Sequence, residues 1–152
     1  MLPQDIRDAL RGLYPDSVLD NTQLEVTVPR LTGFMVFTLI APQKWLAIGS
    51  APSPGLIRIH PSYYAPKTAT GLALIGHELC HQVQWRTVPN FLAAYTAEEE
   101  RNIAGHPPWS NRFEAECYAS EQRAATLLRQ RGYPSRQALA LPFCMCQGSP
   151  FR

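Results

Sequence analysis

The stretch IGHELCHQVQW, residues 75–85, sets His77, Glu78 and His81 in an H-E-x-x-H pattern. Residues four apart on a helix lie one above the other on the same face, so both imidazoles can approach a single divalent cation. Glu78, one position along, then addresses a water on that cation as a general base, and the chemistry such a trio serves is hydrolysis. Leu74, Ile75, Leu79 and Val83 surround the trio with apolar side chains, which predicts a partly buried helix. Two imidazoles with nothing to bind would sit badly there, because a buried polar group without a partner costs free energy.

A zinc site that keeps one position for water needs a third protein ligand. Two carboxylates follow in NRFEAECYASEQRAATLL, Glu114 and Glu116. At about 100° per residue they point to nearly opposite sides of a helix, so only one of them can face the cation. Phe113, Cys117, Ser120, Ala124, Leu127 and Leu128 form an inward stripe, and Glu116, three from Phe113 and four from Ser120, belongs with it. Glu114 aligns instead with Tyr118, Glu121 and Gln122, a face that reads as solvated. Glu116 is therefore the expected third ligand. Glu114 and His106 (in AGHPPW) are the alternatives, and pairing with Arg112 or Arg123 is the structural explanation of Glu116. Candidates for an oxyanion or substrate contact are His106, Tyr95, Tyr63 and Tyr64, although a tyrosine ordinarily just packs. His60, directly before Pro61, reads as a loop histidine.

The elements that must hold these groups follow from periodicity. Ile6, Leu10 and Leu13 recur at helical spacing before Gly12 and Pro15 stop the pattern. Leu24, Val26 and Val28 alternate with polar residues as a half-buried strand does, and 33–40, 45–48 and 56–60 continue as short strands. Strand 56–60, just before the motif helix, is a candidate exposed edge for an extended substrate. Prolines and Gly55 punctuate 52–66 without making a linker. From Thr68 on, Ala, Leu, Glu, Gln and Arg take over, predicting helices near 69–86, 90–104 and 109–131, with a short one around 135–141. Strands first and helices second predict an α+β fold, a small mostly antiparallel sheet followed by a helical layer. The expected organisation is one domain, 1–143, with a tail from 144 to 152.

Composition narrows the function classes. With 152 residues and a formal charge of +2, neither nucleic acid nor an anionic membrane is announced as the partner; it is the zinc motif that makes a peptide or protein the expected substrate. Hydrophobic content of 45% against 17% charged residues excludes wholesale disorder. The first fifteen residues lack the apolar core of a secretory signal, and 33–41 is too short to span a bilayer, so the default location is cytoplasmic. Export as an effector without a classical signal is the other option. In the default compartment Cys80, Cys117, Cys144 and Cys146 are free thiols, although Cys80 and Cys117 come near each other if their two helices frame one zinc.

Residues 55–121, from GLIRIHPSYYAPKTATGLALIGHELCHQVQW through FLAAYTAEEE to NRFEAECYASE, resemble the small bacterial metallopeptidase domains of contractile-injection-system cargo and other toxin-like proteins. More broadly they are similar to the short gluzincins, which bind zinc through two histidines and a downstream glutamate. The resemblance implies a zincin-like fold, Zn²⁺ as cofactor, His77, His81 and Glu116 as ligands, Glu78 as general base, and peptide-bond hydrolysis through a zinc-activated water. Cys117 departs from the alanine usual in those domains. A second resemblance, of HELCHQVQW to SprT-like proteases of DNA–protein crosslinks, implies His106 as third ligand, but no Lys/Arg cluster marks a DNA face. A zinc-stabilised binding module without catalysis is the remaining alternative, against which Glu78 argues, since a closed structural site has no use for a base.

Overall fold

The computed structural model describes residues 1–28, 48–102 and 111–135. The architecture is α+β: a three-stranded mixed sheet lies on one side of a long central helix and a second long helix on the other. Two short helices, α1 (Gln4–Leu10) and α2 (Asp16–Leu19), precede strand β1 (Gln23–Val26). Strands β2 (Gly49–Ser53) and β3 (Leu56–Ile59) follow, joined by a turn at Gly55, whose φ of 79° is open to glycine without strain. Then come α3 (Ala69–Thr87), α4 (Phe91–Asn102) and α5 (Arg112–Gln130).

The helices at 69–86, 90–104 and 109–131 are found within a few residues of their expected bounds, whereas the sheet differs from expectation in two ways. It is mixed rather than mostly antiparallel: β1 runs parallel to β3, with Gln23 opposite Leu56 and Val26 opposite Ile59, and only β2 is antiparallel to it. Strand 56–60 is also not an edge, because β3 is paired on both sides in the order β1-β3-β2. Its Ile57 and Ile59 are fully buried, and that apolar payload draws it to the centre. The outer strand β2 carries Pro52 at a register shift between Ser50 and Ser53. Proline cannot donate to a ladder and is tolerated at such bulges and edges. The expected strand at 33–40, the one at 45–48 apart from Ile48, the helix at 135–141 apart from Ser135, and the tail from 144 lie outside the described residues.

Helix α3 is buried almost all round, so it forms the core rather than covering it. Thr68 caps it by accepting from the Gly71 N–H (3.1 Å), and the residues after α5 close back on it where the Ala69 N–H donates to the Pro134 carbonyl (2.9 Å). Tyr14 crosses α3 at Gly76, where a β-carbon would fall 3.0 Å from the phenol Cζ, and shares a hydrogen bond with Ser120 of α5 (3.1 Å). The N-terminal segment thereby fixes the spacing of the two long helices directly beside His77. No helix among the described residues is long and apolar enough to cross a membrane.

Candidate metal centre

His77, Cys80, His81 and Gln84 recur at i, i+3, i+4 and i+7 and line the side of α3 that meets α5. Across from them α5 presents Glu114, Cys117, Tyr118 and Glu121 with the same spacing. His77 Nε2 lies 3.3 Å from Glu114 Oε2, and His81 Nε2 lies 3.3 Å from Glu114 Oε1. Among the described residues, His77, His81 and Glu114 form the group able to hold a metal ion, their donor atoms all within 4.8 Å of one another.

The third carboxylate is thus Glu114, and the expectation for Glu116 is corrected. Glu116 is exposed and accepts a hydrogen bond from Gln84 Nε2 (2.9 Å), on the flank of α5 away from the imidazoles. The physical reason is that the face of Glu114, Tyr118 and Glu121 is polar because it meets polar groups on α3, whereas hydropathy alone reads such a face as solvent. Position 106 lies outside the described residues. Tyr95, from α4, donates to Glu114 Oε1 at 2.6 Å, so it steadies the third donor instead of standing free for an oxyanion. His60 behaves as a loop residue: its Nδ1 accepts from the Ser62 N–H (3.2 Å) and caps the short 3₁₀ turn Pro61–Tyr63. Tyr63 and Tyr64 pack against the core.

Each imidazole is held from behind. His77 Nδ1 meets the carboxylate of Glu121 (3.1 Å), and its ring lies edge-on to Tyr118 with centroids 4.7 Å apart. His81 Nδ1 meets Gln84 Oε1 (2.8 Å). Such outer partners fix ring orientation and leave each Nε2 directed at Glu114. Glu121, Tyr118 and Gln84 escaped the sequence reading as site residues. The available signal was spacing, Glu121 standing two turns beyond Glu114 and Gln84 three residues beyond His81.

The donor set is of the kind zinc takes. Each imidazole Nε2 stands 3.3 Å from a different oxygen of Glu114, and donor atoms of the three residues all lie within 4.8 Å of one another. Two imidazoles and one carboxylate also leave a fourth position for water or substrate.

The electrostatics call for positive charge. Burial works to lower His77, but its hydrogen bonds to Glu114 and Glu121 and the charge of Glu78 outweigh burial and hold it well above its usual value. His81 is raised likewise, the charge and hydrogen bond of Glu114 overcoming burial. Burial works to raise Glu114, yet the charge of His81 and the hydrogen bonds from both imidazoles keep it well below the usual carboxylate range. Glu78 is different: burial pushes it up to about 7 against the pull of His77 and His81. Its carboxylate lies against Gly49 at the start of β2, where a β-carbon would collide with Oε1 and come within 2.9 Å of Cδ. Only glycine lets the strand pass so close to the base.

Cys80 and Cys117 form a disulfide between α3 and α5, with Cα atoms 5.4 Å apart, so the expected proximity holds and the expectation of free thiols is corrected for these two, Cys144 and Cys146 lying outside the described residues. The reason is positional: each cysteine lies on the face its helix turns to the other, at the level of the imidazoles. A bridge closing a loop of 37 residues restricts the unfolded chain by about 3–4 kcal/mol in the chain-entropy picture. Comparison with protein-family models, with curated proteins and with solved structures finds no match for this chain, so the resemblance of residues 55–121 rests on their motifs alone.

Proposed function

We propose that the chain is a zinc metallopeptidase, a short gluzincin-like domain whose glutamate ligand is Glu114. One observation carries this reading: two imidazole Nε2 atoms each stand 3.3 Å from an oxygen of the same carboxylate. Two nitrogens and one carboxylate oxygen suit zinc better than the harder, all-oxygen cations. An ion held there supplies Lewis acidity to a water and to the scissile carbonyl. Glu78, a buried carboxyl pushed up to about 7, would serve as the general base, taking a proton from the attacking water and returning it to the leaving amine. The strand β2 is an outer strand of the described sheet, and its Gly49 end adjoins Glu78. An extended peptide pairing with that edge would bring its carbonyl groups past the base. With Glu114 as third donor, the ligand set no longer depends on His106. The Cys80–Cys117 bridge is of a kind that persists in oxidising compartments, which favours export over the cytoplasm as the place of action.

The zinc-loaded protein is expected to cleave a peptide library, and Glu78→Gln to keep about one zinc per chain while losing about 10²–10⁴-fold in cleavage rate. A loaded wild type that cleaves nothing, or a Glu78→Gln variant that cleaves equally well, overturns the enzyme and leaves the binding module.

A further inference from the structure

Gln84 lies three residues beyond His81 on α3 and is only 2% exposed. Its side-chain Nε2 donates to the Phe113 carbonyl (3.0 Å) and to Glu116 Oε2 (2.9 Å), while its Oε1 stands 2.8 Å from His81 Nδ1. A carbonyl and a carboxylate only accept, so the amide cannot be turned over: its NH₂ end must face α5 and its oxygen must face the imidazole. The atom opposite that oxygen must then be a donor. His81 therefore carries a proton on Nδ1, and its Nε2 points at Glu114.

The same amide grips α5 at residues 113 and 116, on either side of Glu114. We propose that Gln84 is the positioning residue of the metal centre: a single buried amide decides which nitrogen of His81 meets the ion and holds in register the turn that carries the third ligand. The two imidazoles differ in this respect. His77 is backed by the carboxylate of Glu121 (3.1 Å), whereas the Nδ1 of His81 faces two neutral acceptors, the Gln84 amide oxygen (2.8 Å) and, farther off, the disulfide sulfur of Cys117 (3.6 Å). The inference rests on the metal-site part of the proposed function and not on hydrolysis.

Zinc affinity measured by competition with a chromophoric chelator is expected to fall about 10–100-fold in Gln84→Leu, the usual cost of losing an outer partner of a ligand, and less than about threefold in Glu116→Ala, where the Phe113 carbonyl still orients the amide. In the zinc-loaded, ¹⁵N-histidine-labelled wild type, His81 should bind through Nε2 and show a slowly exchanging Nδ1–H, and Gln84→Leu should lose the slow exchange. Zinc on Nδ1 of His81, or an Nδ1–H exchanging as fast as free imidazole, overturns the proposal without recourse to any variant. So does a folded Gln84→Leu that binds zinc within about threefold of wild type. A wild type with the expected spectrum that cleaves no peptide supports the role of Gln84 and removes only the peptidase.

Discussion

Gln82 and Gln84 stand two residues apart on α3, face opposite ways, and are both buried amides with every arm engaged. Gln82 faces the sheet: its Oε1 accepts from the Gly55 N–H (2.6 Å) and its Nε2 donates to the Ser53 and Leu56 carbonyls (3.0 and 2.9 Å). With Trp85, whose indole N–H donates to the Ala51 carbonyl (3.1 Å), it locks the β2–β3 turn onto the helix. Gln84 faces α5 and reaches a ligand histidine. The sheet side is thus complete in itself, its polar atoms satisfied by backbone and its remaining area closed by Ile57, Ile59 and Leu79. The α5 side holds two imidazoles raised by neighbouring carboxylates, and with Glu114 they form a group that could hold a cation. Glu78 apart, which reaches Gly49 of β2, one helix therefore separates a face that supplies stability from a face that carries the candidate metal ligands.

The largest expected break of this division is on the chemical face. Glu114→Ala should weaken zinc binding more than about 100-fold, beyond the 10–100-fold of an outer partner, while Glu116→Ala stays near wild type. Metal content and chelator competition read both, and the reverse order would sink the ligand set. Next comes the structural face. Gln82→Leu strands one N–H and two carbonyls, which should lower unfolding stability by about 2–3 kcal/mol in denaturant titration. Its zinc affinity should stay within about twofold of wild type; a tenfold loss would mean that the two faces are not separate.

The same division explains what could be read from the sequence. H-E-x-x-H and its helix were legible because spacing and apolar neighbours agree there. The placement of Glu116 failed because hydropathy reports polarity, not burial: Glu114, Tyr118 and Glu121 form a polar stripe turned to His77. Strand β2 was missed because Pro52 and Pro54 read as breakers, although an outer strand with a bulge tolerates proline. The parallel pairing of β1 with β3 has no local signature, since it is decided by residues more than thirty positions apart.

The smallest expected effect is one of pH on the metal-free protein. Glu78 has a folded value of about 7 against 4.5, so the folded state holds its proton more tightly, and the stability this adds is present below pH 4.5 and lost as pH rises to 7. His77 and His81, raised above 6.5, add stability below 6.5 that is lost on further rise. Glu114, lowered from 4.5, acts only at acid pH and does not oppose the trend above it. Glu78 alone should therefore cost chelated protein about 2 kcal/mol between about pH 5.5 and 7.5 by denaturant titration, and the two imidazoles add to that loss above 6.5. Zinc competes with protons for the same nitrogens, so its stabilising effect should grow over that interval. The deficit of Gln82→Leu should stay constant, because its partners are backbone groups that do not titrate. A chelated protein that gains stability from pH 5.5 to 7.5 would overturn the raised values of Glu78 and the imidazoles, and a Gln82→Leu deficit that tracks pH would show that the two faces are not separate.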